Sequence, residues 1–263
     1  MIMADLVEYI YEDQDILVCH KKAGMATEGA GAGRMDLVSA ARNYLARKQR
    51  SEKAGRQRNL PPYIATVNRL DAPVEGVLVL AKNKKAASDI ALQVKEKRTD
   101  KYYYALCYGA PKEDKGALND NLIRREDTGL ALAISDEEAA SLSDGAVTLS
   151  SGEKVRLIGG DVKKAKLEYE VIAKNNETSL LRIHLLTGRF HQIRVQLSSR
   201  NMPIVGDEKY GSSESIEYSK KIENKAVCLV AYSFSFRHPG TKKRVTFEIL
   251  PDNKEIKELL TKL

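Results

Sequence analysis

The residues best suited to chemistry lie in the stretch 66–82, which reads TVNRLDAPVEGVLVLAK. A polar cluster at 68–71 precedes a Pro/Gly bend and an apolar run at 77–81. An apolar run after turn residues predicts a buried strand, which would hold the neighbouring charges on a rigid element. Catalytic groups are usually positioned at the edges of such elements. Spacing alone favours a plainer interpretation, in which Arg69 and Asp71 form a surface ion pair.

The sequence carries none of the other common catalytic patterns. Three scattered cysteines form no CxxC pair and cannot all be joined by disulfides, which favours a reduced, cytoplasmic protein with inert thiols. No GxSxG, Cys/His or dinucleotide-binding pattern occurs. A metal site is not expected, because the histidines show neither HxxxH nor HExxH spacing. The histidines are His20, His184, His191 and His238.

Composition points to a nucleic-acid partner. The chain has 263 residues and a net charge of +7, which favours a polyanion. With twelve tyrosines and no tryptophan, tyrosine is the main aromatic side chain that could stack on bases. No window approaches the roughly 18 consecutive apolar residues of a membrane span. The N-terminus lacks a basic segment followed by an apolar core, so neither a membrane location nor secretion is expected.

Periodicity predicts strands and helices in mixed order. Strands are predicted within 6–19 around a turn at 12–15, and at 77–81, 101–109, 167–172, 179–185, 228–236 and 244–249. Helices are predicted from Asp36 to about residue 50, over 84–97, over 190–200 with Thr187 as a possible cap, and after a cap at Asp252. Residues 112–163 are acidic in part and rich in Ser, Ala and Gly, which predicts an insertion with short strands and mobile loops.

The first predicted helix runs into a strongly basic segment, 42–58, in which Glu52 is the only acidic residue. Its cations include Arg47, Lys48 and Arg50. A solvated helix face and a surface that follows RNA phosphates explain this segment equally well.

Several short motifs follow one another along the chain. They are Arg69-Leu70-Asp71 with Gly76-Val77-Leu78-Val79, Lys101-x-Tyr103-x-Ala105, Thr187-Gly188-Arg189-Phe190-His191-Gln192-Ile193-Arg194, and Pro203-Ile204-Val205-Gly206-Asp207-x-x-Tyr210-Gly211. In this order and spacing, the chain resembles the RluA-type pseudouridine synthases from about residue 6 to residue 250. Each motif alone is weak evidence for this family, whereas the motifs in series are highly specific for it.

The resemblance implies an α+β fold with a curved, mostly antiparallel mixed sheet flanked by helices and an RNA cleft across the sheet. It implies a single catalytic domain over residues 1–263, with a variable insertion at about 112–163 and no separate S4-like RNA-binding domain. The implied activity is the isomerisation of specific uridines to pseudouridine in structured RNA, either rRNA or tRNA, without a cofactor or metal. A monomeric cytoplasmic enzyme is expected.

The resemblance also implies roles for individual residues. Asp71 would be the catalytic carboxylate, as nucleophile or as base, and Arg194 would pair with it and keep it ionised. Tyr103 would stack on the target base, and Arg69 would fill the space that the flipped nucleotide leaves. The further residues expected to bind RNA are Arg189, His191, Arg47, Lys48 and Arg50.

Some positions depart from the family pattern. Asn68 stands where a histidine is usual, and Val74 and Glu75 replace a Thr-Ser pair. Glu75 is expected near the cleft, where it could alter RNA affinity or geometry. These departures motivate a second hypothesis, an RNA-binding or ribosome-assembly protein on the same scaffold that has lost catalysis. The intact catalytic carboxylate and its predicted partners favour the enzyme.

Overall fold

The computed structural model describes residues 6–31, 33–52, 61–224 and 226–263. In chain order its elements are β1 Val7–Glu12, β2 Ile16–Lys21, α1 Leu37–Glu52, β3 Ala65–Thr66, β4 Glu75–Ala81, α2 Lys84–Lys95, β5 Asp100–Tyr108, β6 Lys115–Arg124, β7 Ala131–Ile134, α3 Asp136–Ala140, β8 Ala146–Thr148, β9 Lys154–Arg156, β10 Lys163–Lys174, β11 Thr178–Leu185, α4 Gln192–Ser198, α5 Ser213–Lys221, β12 Leu229–Arg237, β13 Arg244–Glu248 and α6 Lys254–Leu260. None of these helices is both long enough and apolar enough to cross a bilayer.

The chain folds into two compact units, the first formed by Met1–Lys101 with Val230–Lys257 and the second by Tyr102–Leu229 with Glu258–Leu263. In the first unit, β2 pairs antiparallel with β1 and β4, whereas β4 and β12 are parallel. The short strands β3 and β13 pair antiparallel with β4 and β12. In the second unit, β5, β11, β10, β6 and β7 form successive antiparallel pairs, and β8 and β9 form a separate hairpin. Mixed, mostly antiparallel strands accompanied by helices confirm the predicted α+β class.

Strand β4 lies in the core of the first unit, as its apolar run predicts. Every residue of β4 is buried. The core around it comprises Ile16, Val18, Val77, Val79, Ile90, Phe234 and Phe236. Gly76 is required by close packing, because a Cβ atom there would lie 2.5 Å from the Ala231 Cβ and 2.7 Å from the Ala231 carbonyl oxygen. The strand that follows Asp71 is therefore rigidly fixed.

In the second unit, strand β5 holds the loop that carries Asp207. The Tyr108 backbone N–H donates to the Pro203 carbonyl, and the Val205 N–H donates to the Leu106 carbonyl, both at 2.9 Å. Gly206 has φ of +80°, and a Cβ atom there would lie 1.9 Å from the Ala226 carbonyl oxygen. Only glycine combines this backbone conformation with so close an approach.

The predicted strands and helices are confirmed, but two of the predicted helix caps are wrong. Helix α4 begins after His191, which has φ of +51° and makes no side-chain cap. The Thr187 hydroxyl instead bonds to the Gln192 side chain at 2.8 Å and accepts from the Lys166 N–H at 2.8 Å. At the last helix, the Asn253 side chain accepts from the Ile256 N–H at 3.1 Å, and Asp252 lies one residue too early to do so.

The segment 112–163 contains more regular structure than its sequence suggests. Residues 115–122 of β6 pair with residues 163–170 of β10, so this part of the segment belongs to the sheet of the second unit. The polar residues along β6 hide the strand from a hydrophobicity pattern. Helix α3 carries a capping box between Ser135 and Glu138. Helix α5, which the sequence analysis did not predict, is capped by the Ser212 hydroxyl, which accepts from the Ser215 N–H at 3.2 Å.

The cysteines Cys19, Cys107 and Cys228 are buried and form no disulfide. Burial raises the pKa values of the Cys19 and Cys107 thiols, which keeps them protonated. Inert thiols are therefore confirmed for these two residues.

Candidate functional site

Hydrogen bonds from the segment that follows β2 fix the backbone on both sides of Asp71. The Thr27 hydroxyl donates to the Leu70 carbonyl at 2.8 Å and accepts from the Leu70 N–H at 3.1 Å. On the other side, the Ala72 carbonyl accepts from the Gly24 N–H at 2.8 Å. A catalytic side chain must be held in a fixed position by the residues around it. These backbone hydrogen bonds therefore suit the role predicted for Asp71.

Lys21 provides a buried cation beside this loop. Its side chain is fully buried, and its ammonium donates to the carbonyls of Met25 at 2.8 Å and Ala72 at 3.2 Å. Burial lowers the pKa of the Lys21 ammonium to about 8, while the charges of Asp71 and Glu75 oppose this shift. No sequence motif gave Lys21 a role. The signal that could have identified it is a lysine at the end of an otherwise apolar strand, directly before a turn.

The structure pairs Arg69 with Glu28 rather than with Asp71. The two side chains form an ion pair at 3.2 Å, and the Arg69 side chain is 73% exposed. The plain interpretation, an ion pair between Arg69 and Asp71, is therefore wrong. An exposed pair of this kind is weak, so Arg69 can exchange Glu28 for a phosphate or a base at little cost.

Glu75, which the resemblance leads us to expect near the cleft, is a buried side chain. Its carboxylate accepts from His20 Nε2 at 2.9 Å and from the backbone N–H groups of Asp252 at 2.7 Å and Asn253 at 2.9 Å. These hydrogen bonds hold the chain segment that follows β13 against β4. The neighbouring departure Asn68 is also structural, since its side-chain oxygen accepts from the Val79 N–H at 3.1 Å.

His20, Glu75 and Asp252 bring ligand-type atoms within 4.8 Å of one another. The lone pairs of this cluster are already used in hydrogen bonds. The Lys22 ammonium bonds to His20 Nδ1 at 3.1 Å and forms an ion pair with Asp252. A positive ammonium bonded to two of the three side chains makes this cluster a hydrogen-bonded network rather than a metal site.

In the second unit, Arg194 is held by a bidentate ion pair with Asp207. Its Nε and Nη2 groups donate to the two carboxylate oxygens at 2.6 and 2.7 Å, and both side chains are almost completely buried. The Asp207 carboxylate also accepts from the Lys209 N–H at 3.0 Å. The Arg194 guanidinium lies 5.1 Å from the centre of the Tyr210 ring. Asp207 orients Arg194, a role that was not predicted although Asp207 lies in one of the sequence motifs.

Tyr103 is buried on β5, where it pairs in register with Ile183 of β11. Its neighbour Tyr102 lies on the opposite face and stacks on His184, with the ring centres 4.6 Å apart. The predicted alternation along this strand is confirmed. Stacking of Tyr103 on a base stays a prediction.

Arg189 and His191 occupy the turn before α4 together with Phe190. The Arg189 Nε group donates to the Lys164 carbonyl at 3.0 Å, and His191 Nδ1 lies 2.8 Å from the Tyr210 hydroxyl. The Arg124 guanidinium lies 4.1 Å from the centre of the Phe190 ring. Arg124 was not among the predicted site residues, because the contact joins positions far apart in sequence.

The basic end of α1 is described only in part. Lys48 is bonded to Glu12 at 2.9 Å, whereas the Arg47 Nε group donates to a carbonyl of its own helix, that of Asn43, at 3.3 Å. Arg50 is exposed in the last turn. Lys53, Arg56 and Arg58 lie outside the described residues. Arg47 and Arg50 are thus better placed than Lys48 to contact RNA.

The family model and the related proteins agree on one family. Residues 15–199 match the model of a protein family described as RNA pseudouridylate synthase. The chain is 32% identical over 248 residues to an uncharacterized RNA pseudouridine synthase of Aquifex aeolicus, covering 92% of this chain and 69% of that protein. It is 25% identical over 254 residues to the ribosomal large subunit pseudouridine synthase C of Vibrio cholerae, covering 97% of this chain and 68% of that protein.

Solved structures share the fold. Human RNA pseudouridylate synthase domain containing 4 superposes with a TM-score of 0.69 at 20% identity, covering 97% of this chain and 92% of that chain. Human RNA pseudouridylate synthase domain containing 1 gives a TM-score of 0.61 at 21% identity, covering 94% and 83% of the two chains.

Proposed function

Because the chain belongs to the RNA pseudouridylate synthase family, we propose that it isomerises specific uridines in the RNA of the large ribosomal subunit. The RluA-type resemblance is confirmed, and the chain is an isomerase that forms pseudouridine in RNA. The choice of ribosomal RNA rests on the names of relatives from Vibrio cholerae and Vibrio vulnificus, both ribosomal large subunit pseudouridine synthase C.

The observation that carries the proposal is the fixed loop around Asp71 beside the buried Lys21 ammonium. The reaction breaks the bond between the uracil N1 atom and the ribose, and then joins the uracil C5 atom to the same ribose carbon. A carboxylate can assist by attacking or by removing a proton, and it must be ionised to do either.

The other predicted residues complete the proposed machinery. The uridine must leave its stack before its glycosidic bond can be reached. We assign Tyr103 to stacking on the extruded base and Arg69 to filling the vacated space. Arg194, which Asp207 holds in one orientation, is assigned to pairing with Asp71, as the motif match implies. Arg189 and His191 are assigned to RNA binding.

The test is to map pseudouridines in all cellular RNA of the source organism with and without the gene. Loss of one or a few large-subunit sites in the deletion strain, restored by the intact gene, is the expected result. Loss confined to tRNA would move the substrate assignment and leave the activity intact. An unchanged map would favour the catalytically silent RNA-binding protein, which the preserved Asp71, Tyr103 and Arg194 argue against.

A further inference from the structure

Phe190 lies between two planar side chains in the second unit. The ring of His191 is stacked on it, with ring centres 3.7 Å apart and planes 21° apart. The Arg124 guanidinium lies over the same ring at 4.1 Å. Two planar groups that are both this close to one ring centre cannot share a face, so Arg124 and His191 cover opposite faces of Phe190.

Hydrogen bonds to neighbouring residues hold Arg124 and His191 in place against Phe190. The Arg124 Nε group donates to the Gly129 carbonyl at 3.2 Å, and His191 Nδ1 is bonded to the Tyr210 hydroxyl at 2.8 Å. That hydroxyl also accepts from the Ala131 N–H at 2.9 Å. The stack is thus pre-organised, so binding a flat ligand against it would require little ordering.

The stack lies at the surface and is positively charged. The Phe190 side chain is 41% exposed, a large value for a phenylalanine. Within the described part of the chain, neither Arg124 nor Arg189 forms an ion pair with a carboxylate, and each donates instead to a backbone carbonyl. Arginine next to an exposed aromatic ring is the combination that binds unpaired bases and their phosphates.

We propose that Arg124, Phe190 and His191 bind a second, unpaired nucleotide of the RNA substrate, distinct from the uridine that is isomerised. Its base extends the stack, and its phosphate is held by Arg124 and Arg189. This inference rests on the proposed function for the identity of the ligand as RNA. It gives the chain a means of preferring RNA sites in which another unpaired nucleotide accompanies the target uridine.

The test measures binding of a fluorescein-labelled single-stranded oligouridylate by anisotropy over a range of salt concentrations. Phe190→Ala should weaken binding by about 5- to 150-fold, since the Arg124 and His191 side chains on which the base stacks lose the ring that holds them in place, and should leave the salt dependence unchanged. Arg124→Lys keeps the charge but removes the planar group, so it should also weaken binding without changing the salt dependence. Arg124→Gln should in addition reduce the slope of log K against log salt by about 0.7.

Matched variants distinguish stacking from a loss of structure. Phe190→Tyr keeps an aromatic ring and should bind like the wild type. Leu142→Ala removes an apolar side chain of similar exposure (38%) in the same unit and should have no effect. Wild-type affinity for both Phe190→Ala and Arg124→Lys would overturn the inference.

The outcomes also separate this inference from the proposed function. Pseudouridine formation by the wild type, with unchanged binding by both variants, refutes the second nucleotide site alone. Weakened binding by the variants, with no pseudouridine formed by the wild type on any RNA, refutes the proposed activity alone.

Discussion

Lys21 places a buried ammonium next to the loop that carries Asp71. A fully buried ammonium costs free energy unless hydrogen bonds and opposite charges compensate for it. Here backbone carbonyls on both sides of the turn, at Met25 and Ala72, accept its protons. Lys21 therefore links the turn after β2 to the loop that carries Asp71.

The first prediction concerns the pH dependence of stability. The pKa of Lys21 is about 8 in the folded chain, against 10.5 for an unperturbed lysine. Between these values the unfolded state binds more protons, so the free energy of unfolding rises with pH through this window. Urea denaturation of wild type and Lys21→Met should show the wild type gaining up to about 1.4 kcal/mol per pH unit relative to the variant. A difference that does not vary with pH would mean that Lys21 has an ordinary pKa.

The second prediction concerns the ion pair that orients Arg194. Asp207→Asn should lower the free energy of unfolding by about 3–5 kcal/mol, because it leaves the buried Arg194 charge uncompensated. The measurement is the midpoint of urea unfolding. Asp114→Asn, which removes an exposed partner of Lys174, is the control and should leave the midpoint essentially unchanged. Equal midpoints for the two variants would contradict the structural role of Asp207.

At the scale of elements, β4 connects the loop that carries Asp71 to the C-terminal segment. Glu75, the first residue of β4, satisfies two backbone N–H groups that precede α6 and also bonds to His20 of β2. The departure from the family pattern at this position therefore holds the C-terminal segment against β4 and β2.

The third prediction follows from this role of Glu75. Glu75→Ser, which introduces a serine of the family pattern, should destabilise the chain by about 2–4 kcal/mol, because two N–H groups lose their acceptor. RNA affinity, measured below the unfolding transition, should stay close to that of the wild type. Glu75→Gln keeps one side-chain oxygen as acceptor and should lose less stability. An increase in RNA affinity without a loss of stability would restore the expectation of a direct RNA role.

The fourth prediction concerns helix α1. Replacing Arg47 and Arg50 by glutamine should weaken RNA binding and reduce the slope of log K against log salt by about 1–2. Replacing Lys48 alone should have a smaller effect, because Glu12 already pairs with it. Anisotropy titrations over a range of salt concentrations provide the measurement. An unchanged slope in the double variant would assign this helix face to solvent.

Local patterns predicted the elements better than the contacts between them. The apolar run of β4 and the alternation along β5 identified both strands, since each pattern lies within one element. The bonds from Glu75 reach residues 55 and 178 positions away, and no local pattern records such contacts. The polar β6 was hidden for a related reason: its place in the sheet is decided by pairing with β10 and not by its own hydrophobicity.

At the scale of the whole molecule, residues of each compact unit have proposed roles. Asp71 and Arg69 belong to the first unit, and Tyr103, Arg194 and the Arg124–Phe190–His191 stack belong to the second. A net charge of +7 suits a protein whose substrate is RNA. The family match spans residues 15–199 and thus includes the predicted catalytic residues of both units.

The most direct test of this account compares wild type and Asp71→Asn on unmodified large-subunit rRNA transcripts. Pseudouridine is measured by chemical derivatisation and primer extension, and RNA affinity is measured in parallel. Asn has nearly the same shape as Asp but lacks the charge, so the folded structure and RNA binding should persist. The account predicts pseudouridine at defined sites with the wild type, none with Asp71→Asn, and nearly equal affinities. Equal product from the two proteins would contradict the assignment of Asp71 as the catalytic residue.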